Sequence, residues 1–398
     1  MDVGLVGQPN VGKSTLFNAL TMLNAPMAPY PFTTVEPNRG VAHVRVACPH
    51  TDLGHPCTPG NAPCQEGTRW VPVELIDVAG LVPGAHEGKG LGNRFLDDLR
   101  QAEGYLQLID LTGATAPDGH LEEPGRFDPV EPVRFLEEEM VLWLGEILSR
   151  QWEKAARSLE LNEGKVEELI ASRLTGLNFK PAQVLAAFRH LPLDLAHPTR
   201  WTEADLLRLA RELLRANRPR RIVANKADHS RPEAAAQVAE ELAPLPCAPA
   251  SADVELLLRR ADQAGLIRYR PGDARFTYSH PEGLKPAQRK ALEEVERFLS
   301  VWGSTGVQQA LEALVFEGLS RMVVFPVEDE TRWTDGKGRI LPDALLVTRG
   351  TTARELAYRV HTDLGEGFIR AVDARRKRTL GADHPLEPGD VVRVVSKR

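Results

Sequence analysis

The 398-residue sequence has only four cysteines and no long run of apolar residues. The thiols Cys48, Cys57, Cys64 and Cys247 are too few for the disulfide framework of a small secreted scaffold. No apolar run approaches the roughly 18–20 residues that a membrane-spanning helix requires. The first residues contain neither a basic leader nor an apolar signal segment. We therefore expect a cytoplasmic protein with no membrane partner.

The sequence also lacks a strong excess of either charge. It has 49 Lys and Arg against 55 Asp and Glu, a formal net charge of −6 at pH 7. Hydrophobic residues make up 42% and charged residues 26%, as in ordinary globular proteins. This balance disfavours a disordered chain, a collagen-like repeat and a wholly basic nucleic-acid coat. At roughly 100–200 residues per domain, the length predicts about two to four domains.

Short runs of β-branched and apolar residues alternate with helical segments from the first residues onward. The runs predicted as strands are 3–6, 40–46, 71–76, 106–110, 221–224 and 246–250. Most are separated by enough residues to cross back over a sheet. The alternation therefore predicts an α/β domain with a mostly parallel sheet covered by helices.

The connection between the predicted strands 106–110 and 221–224 is too long for a structureless loop. Apolar residues at helical spacing there predict an inserted helical domain, with helices at 133–148, 165–174, 181–191 and 203–216. The last part of the chain predicts short strands, turns and one helix, a small α+β domain. The predicted segments are 1–112 and 219–320 for the sheet domain and the helices after it, 113–218 for the insertion and 321–398 for the C-terminal domain.

Residues 7–14 read Gly-Gln-Pro-Asn-Val-Gly-Lys-Ser, a G-x4-G-K-S phosphate loop after a predicted strand and before a predicted helix. In such a loop, backbone N–H groups and the helix N-terminus face a phosphate. Lys13 supplies positive charge for the β- and γ-phosphates, and the Ser14 hydroxyl is a ligand for Mg²⁺. The loop therefore predicts a nucleoside-triphosphate site.

Two further segments predict the groups that sense the γ-phosphate. Asp77 follows a predicted strand, where its carboxylate can hold Mg²⁺ through water, and the Gly80 N–H can reach the γ-phosphate. A threonine of the segment 30–37, for which we favour Thr34 over Thr33, can ligate Mg²⁺ and release it after hydrolysis. The alternative, that both threonines are ordinary turn hydroxyls, remains open.

Two later segments predict the base. In Asn225-Lys226-Ala-Asp228, the Asp228 carboxylate can accept hydrogen bonds from N1–H and the 2-amino group of guanine. Adenine has neither donor, and a desolvated carboxylate without them is costly. Ser251 and Ala252, after the last predicted strand, would supply a backbone N–H for guanine O6. The sequence therefore predicts GTP and GDP as ligands, together with Mg²⁺.

The predicted site residues form three sets. The nucleotide contacts are Gly7, Asn10, Val11, Gly12, Lys13, Ser14, Thr15, Asp77, Gly80, Asn225, Lys226, Asp228, Ser251 and Ala252. The metal ligands are Ser14, Thr34 and Asp77. The residues predicted to act in catalysis are Lys13, Thr34, Gly80 and Asn10.

Three segments resemble the Obg-related YchF family of translation-factor-class GTPases, particularly its archaeal form. They are GQPNVGKSTLFNALT, YPFTTVEPNRGVAHV and DVAGLVPGAHEGKGLGNRFLDDLR. The resemblance covers nearly the whole chain and ends in a part similar to a TGS domain, which has a ubiquitin-like fold. It implies a Ras-like P-loop G domain and a cytoplasmic GTPase that acts as a switch on the ribosome or ribosomal RNA, with no DNA partner.

Two departures keep other functions open. Many members of the family prefer ATP and end the base motif in glutamate, whereas Asp228 favours GTP here, so an ATPase of the same mechanism is one alternative. Leu81 stands where Ras-like enzymes have a water-orienting glutamine, which predicts slow intrinsic hydrolysis. A ribosome- or RNA-binding adaptor with incidental hydrolysis is therefore the other alternative. The basic run 375–378 could approach phosphate or be a solvated turn.

Two residues are candidates to compensate for the missing glutamine. In related GTPases, an asparagine at the position of Asn10 helps to bind a K⁺ ion that bridges the phosphates; its alternative role is to shape the loop. His86 could reach the γ-phosphate if its loop folds over the site, or it is an exposed loop histidine.

A Pro- and Gly-rich excursion contains three thiols and two imidazoles, from Cys48, His50, His55, Cys57 and Cys64. Four such ligands suffice for tetrahedral zinc. The spacing is not the paired C-x2-C kind, so a metal-free loop remains the alternative.

Overall fold

The structure, a computed structural model, describes residues 1–22, 39–78, 101–177 and 179–397. Contacts between its residues divide the chain into two compact units. The first unit comprises Met1–Ala19 and Leu75–Ala310, and the second comprises Leu20–Glu74 and Leu311–Arg398.

The described residues form strands and helices in alternation. The strands are β1 (Asp2–Val6), β2 (Arg39–Ala47), β3 (Cys64–Gln65), β4 (Thr68–Asp77), β5 (Gly104–Asp110), β6 (Arg220–Asn225), β7 (Cys247–Pro249), β8 (Ile267–Arg268), β9 (Thr277–Tyr278), β10 (Arg321–Val327), β11 (Leu345–Thr348), β12 (Phe368–Asp373), β13 (Arg378–Leu380) and β14 (Val391–Ser396). The helices are α1 (Lys13–Thr21), α2 (His50–Leu53), α3 (Glu131–Ser149), α4 (Trp152–Leu161), α5 (Val166–Arg173), α6 (Pro181–Phe188), α7 (Glu203–Asn217), α8 (Pro232–Glu241), α9 (Ala252–Gln263), α10 (Pro286–Trp302), α11 (Val307–Ala313), α12 (Ala353–Val360) and α13 (Thr362–Glu366).

The first unit is built on a parallel sheet, as predicted. β1 pairs with β5, β5 with β6 and β6 with β7, and every pair is parallel. All seven residues of β5 are buried, which is why a central parallel strand appears in the sequence as a continuous apolar run. Because the strands are parallel, their carboxyl ends meet at one edge of the sheet, where α/β proteins bind ligands.

Helices α3 to α7 occupy the long connection between β5 and β6, where the sequence predicted a helical insertion. Their apolar faces share one core, in which Trp152 stacks on Trp201 with ring centroids 5.3 Å apart. A reciprocal cap starts α7: Asp205 N donates to Thr202 Oγ1, and Asp205 accepts from Thr202 N at 2.8 Å. The sequence prediction missed α4, a helix of which only Trp152 and Ala156 are buried.

The second unit contains a five-stranded mixed sheet in the order β11-β10-β14-β12-β13. β10 and β14 are parallel, and the other pairs are antiparallel. Leu356 of α12 packs against a core that includes Val324 and Val392. The sequence predicted one helix here, but α13 follows α12 directly after His361, so the α+β domain has two.

Within the described ranges, no helix combines the length and the apolar character that crossing a membrane would require.

Candidate nucleotide-binding site

The phosphate loop connects β1 to α1 at the carboxyl edge of the parallel sheet. Gly7 and Gly12 have φ angles of 149° and 100°, which side chains rarely adopt. A Cβ on Gly7 would lie 2.5 Å from Leu108 O, and one on Gly12 would lie 2.2 Å from Asn225 Nδ2. The two glycines therefore let the loop backbone approach β5 and the Asn225 side chain closely.

Lys13, the first residue of α1, turns its side chain back into the loop. Its Nζ donates hydrogen bonds to Gly7 O at 2.9 Å and to Gln8 O at 2.7 Å. Burial lowers the pKa of Lys13, although the nearby Asp77 carboxylate acts to raise it. Burial likewise raises the pKa of Asp77, against the charge of Lys13 and a hydrogen bond from Ser14. A cation and a carboxylate thus share one partly desolvated site.

Ser14 and Asp77 offer oxygen atoms that fit a divalent cation. Ser14 Oγ lies 3.5 Å from Asp77 Oδ2. Asp77 Oδ1 is buried and has no hydrogen-bond partner among the described residues. Mg²⁺ prefers hydroxyl, carboxylate and water oxygens, so this pair suits the predicted metal.

Asn225, the last residue of β6, joins the phosphate loop to the turn before α9. Its buried side chain donates from Nδ2 to Val11 O at 2.8 Å and accepts at Oδ1 from Ala252 N at 3.0 Å. The sequence predicted that a backbone N–H of Ser251 or Ala252 binds guanine O6, and in the structure the N–H of Ala252 serves Asn225. Ser251 is fully buried and caps α9, its Oγ accepting from Val254 N at 3.2 Å.

Lys226 has a left-handed backbone, with φ 65°. Its side chain contacts the Asp110 carboxylate, which was not among the predicted site residues. Lys226 Nζ donates to Asp110 Oδ2 at 2.8 Å and to Thr115 Oγ1 at 3.1 Å. Thr112 Oγ1 donates to Asp110 Oδ1 at 2.6 Å. Burial opposes ionisation of Asp110, yet hydrogen bonds from Lys226, Thr112 and Thr115 hold its pKa below the ordinary value. Asp110 thereby anchors the base motif to the end of β5.

Asp228 lies in a short 3₁₀ turn after Lys226. The turn is held by a hydrogen bond from Ala227 N to Ala250 O, 3.0 Å long, at the end of β7. The Asp228 side chain is 19% exposed, and its Oδ2 lies 3.2 Å from His229 Nε2. Its carboxylate is therefore partly shielded from water, as a base-binding group would be.

The other predicted residues divide into two groups. Val11 is buried, Thr15 is half-buried, and Asn10 is exposed with a positive φ of 62°. Thr33, Thr34, Gly80, Leu81 and His86 lie outside the described residues.

A buried polar network behind the Ser251 turn was not predicted. Glu255 Oε1 accepts from Arg259 Nε at 2.6 Å, and Glu255 Oε2 accepts from Tyr269 OH at 2.8 Å and from Thr305 Oγ1 at 2.6 Å. Thr305 O also accepts from Ser251 N at 2.9 Å. No local motif signals this network, because its members are up to 50 residues apart.

Gly306, the residue before α11, lies against the backbone at the end of β7. Its φ is 75°, and a Cβ there would lie 2.0 Å from Pro249 O and 3.0 Å from Ala250 Cα. Gly303 has the same φ of 75°, but a Cβ there would meet nothing within 4 Å. An alanine at either position would therefore have the same backbone strain, but only an alanine at position 306 would also overlap with its neighbours.

Three protein-family models match the chain. One described as "50S ribosome-binding GTPase" matches residues 2–136, one described as "Obg-like GTPase YGR210-like, G4 motif-containing domain" matches residues 223–329, and one described as "TGS domain" matches residues 337–396. These matches confirm the predicted P-loop G domain and the C-terminal TGS domain.

Full-length relatives extend the likeness over the whole chain. An uncharacterized GTP-binding protein of Methanocaldococcus jannaschii is 44% identical over 99% of this chain and 98% of its own. The crystal structure of a GTP-binding protein from Pyrococcus horikoshii matches with a TM-score of 0.80 and 36% identity, covering 100% of both chains. The human Obg-like ATPase 1 is 26% identical over 98% of this chain and 91% of its own.

The geometry around Gly306 predicts a stability difference between two alanine variants. Left-handed backbone costs an alanine about 1–2 kcal/mol at either position. Gly306→Ala should lower the free energy of unfolding by a further 1–3 kcal/mol or so, because its Cβ overlaps Pro249 O. Urea unfolding of the full chain, with Gly303→Ala as the matched control, measures this difference. Equal losses in the two variants would contradict the steric argument.

Proposed function

The chain belongs to the Obg-like, YchF-related family of GTP-binding proteins, and we propose that it hydrolyses GTP to GDP and phosphate. One observation carries the proposal: Lys13, Ser14 and Asp77 converge in a partly desolvated site at the end of β1. Asn225 supports it, since it joins the phosphate loop to the turn that follows β7.

The chain's own residues supply positioning and charge. The backbone of residues 7–15 would cradle the phosphates, and Lys13 would leave the carbonyls of Gly7 and Gln8 to meet the β- and γ-phosphates. Ser14, Asp77 and Thr34 would hold Mg²⁺, which neutralises charge on the phosphates when bound. The Gly80 N–H would contact the γ-phosphate. Thr34 and Gly80 are thus the proposed sensors of the triphosphate state.

Guanine is the proposed base, held by Asn225, Lys226 and Asp228. The partly shielded carboxylate of Asp228 needs two donors, which guanine has and adenine lacks. The human relative is named an ATPase, so ATP is the competing substrate for this site. Because Ala252 N already donates to Asn225, the carboxylate is the main source of base selectivity.

Asn10 is the proposed holder of a K⁺ ion beside the phosphates. Its Nδ2 donates to Gly119 O at 2.8 Å, and its Oδ1 has no hydrogen-bond partner among the described residues. The amide oxygen of Asn10 is the group that would coordinate the ion, since alkali cations take oxygen ligands. A cation there would stabilise the charge that builds on the phosphates during hydrolysis, in place of the glutamine that Leu81 replaces.

We further propose that hydrolysis switches binding to the ribosome. The family model for ribosome-binding GTPases and the TGS domain support this role. The basic run 375–378 has fewer free charges for binding RNA than its sequence predicts. Arg375 forms an ion pair with Asp52 at 2.6 Å, and Arg376 forms one with Glu387. Sedimentation with ribosomes in GTP and in GDP measures the switch.

Base selectivity should follow the Asp228 carboxylate. We expect GTP to bind at least about tenfold more tightly than ATP, since only guanine satisfies two acceptor positions. Asp228→Asn should shift the preference toward xanthosine triphosphate, because a carboxamide can donate to the xanthine O2. Nucleotide competition assays measure both effects, with the exposed Asp253→Asn as the matched control. Equal affinity for GTP and ATP would instead favour an ATPase.

Hydrolysis should require the phosphate-loop lysine. Lys13→Ala should reduce GTP turnover by about a hundredfold or more, because no other described cation lies in the loop. Ser14→Ala should raise the Mg²⁺ concentration needed for binding. The control Lys154→Ala removes an exposed lysine of α4 and should leave both properties unchanged. Wild-type turnover in Lys13→Ala would place hydrolysis at another site.

The monovalent cation should change the rate. Turnover should rise several-fold when K⁺ replaces Na⁺ at constant ionic strength, because Na⁺ is too small to span the same oxygens. Asn10→Ala should abolish this rise and largely preserve GTP binding, whereas Asn162→Ala, in the helical insertion, should behave as wild type. A rate that is indifferent to the cation would remove K⁺ from the mechanism.

A further inference from the structure

Four potential metal ligands meet in the excursion between β2 and β4. The Sγ atoms of Cys48, Cys57 and Cys64 and a ring nitrogen of His50 all lie within 4.8 Å of one another. We propose that these four residues bind one Zn²⁺ ion. His55, also a candidate from the sequence, is exposed and is not part of the cluster.

Two of the distances between these ligand atoms match those of a tetrahedral site. Cys48 Sγ lies 3.8 Å from Cys57 Sγ, and Cys64 Sγ lies 3.5 Å from His50 Nδ1. With Zn–S near 2.3 Å and Zn–N near 2.0–2.1 Å, tetrahedral ligands are about 3.8 Å apart for two sulfurs and about 3.6 Å apart for sulfur and nitrogen. The same sulfurs are far beyond the roughly 2.05 Å of a disulfide, and all three cysteines are free.

The backbone holds these ligands from several directions. Cys48 directly follows β2, and its N donates to Gly67 O at 2.7 Å. Cys64 begins β3 and pairs with Arg69 of β4. The single-turn helix α2 carries His50 and ends at Gly54, whose left-handed φ of 69° reverses the chain toward Cys57. The ligands are therefore brought together by sheet pairing and a tight turn.

A buried arginine supplies the matching charge. Arg69 is fully buried, and its Nη2 donates to Cys48 Sγ at 3.5 Å and to Leu341 O at 2.8 Å. No carboxylate among the described residues forms an ion pair with it. The Asp343 carboxylate acts on Arg69 only from beyond ion-pair distance, and a buried cation without a close counter-charge is costly. Three thiolates and a neutral imidazole around Zn²⁺ carry one negative charge in sum, which Arg69 balances.

The ligand set identifies the metal and the type of site. Three soft thiolates and one imidazole suit Zn²⁺ and not the hard cations Mg²⁺ or Ca²⁺. With four protein ligands, no position is open for substrate, so the site is structural. Its metal is therefore independent of the magnesium proposed for the nucleotide.

The position of the cluster indicates what zinc would stabilise. Beyond Cys57, Thr58 N donates to Ile340 O at 2.8 Å, and Gly60 N donates to Pro342 O at 2.7 Å. The Asn61 side chain exchanges two hydrogen bonds with the backbone of Ala344, 3.0 and 2.9 Å long. Zinc would therefore fix, within the second unit, the loop that docks on the segment leading into β11.

Metal analysis of the full chain tests the proposal. Protein purified with a reducing agent should contain about one Zn²⁺ per chain by mass spectrometry, as expected for a closed structural site. Cys64→Ser and His50→Ala should reduce this content to less than about half. The matched controls Cys247→Ser and His55→Ala should retain it, since neither residue belongs to the cluster. Full zinc content in Cys64→Ser and His50→Ala would overturn the proposal.

If the variants fail to fold, a second measurement on the wild-type chain still tests the proposal. After chelation and addition of Co²⁺, the chain should show the visible absorption of a tetrahedral thiolate site, and Zn²⁺ should displace it. The thiols of Cys48, Cys57 and Cys64 should react with a thiol reagent faster in the chelated protein than after Zn²⁺ is returned. No metal uptake, or a Cys48–Cys57 disulfide in the reduced preparation, would overturn the site.

Discussion

The nucleotide site depends on a buried amide that must be satisfied on both of its sides. Asn225 donates to Val11 O and accepts from Ala252 N, at 2.8 and 3.0 Å. Leaving either partner unpaired in the interior would cost about 1–3 kcal/mol. The phosphate loop and the turn before α9 are therefore held at one separation, and Gly12 must lack a side chain because Asn225 Nδ2 occupies that space.

Around this bridge, charges are buried in opposing pairs. Lys226 is held by Asp110, and Lys13 shares its site with Asp77. Hydrogen bonds hold the pKa of Asp110 below its ordinary value, whereas at Lys13 and Asp77 the effect of burial on the pKa outweighs that of the opposite charge. Lys226 is thereby held at the end of β5, whereas the hydrogen bonds that Lys13 makes within the described residues go to neutral carbonyls, which a more strongly charged ligand can replace. Lys226 is therefore suited to holding the base motif in place, and Lys13 is suited to binding phosphate.

The second unit also contains a buried charge, the guanidinium of Arg69, but no carboxylate among the described residues forms an ion pair with it. Arg69 crosses from β4 to Leu341 and lies over the Phe325 ring, 5.6 Å from its centroid. Sheet pairing and these contacts place the guanidinium beside the Cys48 thiol. A metal–thiolate cluster there would serve both as counter-charge for Arg69 and as a cross-link for a loop with little apolar core of its own.

The sequence by itself determined the features that depend on local physics. The phosphate loop needs glycines at fixed positions for backbone reasons, and strand periodicity marks where β1, β5 and β6 end, so the parallel sheet and the order of the motifs could be predicted. Tertiary structure alone decided which distant groups meet. Thr305 reaches Glu255, Ala252 N is used by Asn225, and His50, not His55, joins the three thiols. Such contacts depend on how the chain packs across tens of residues, and no spacing rule encodes them, because a hydrogen bond or metal ligand requires proximity in space and not in sequence.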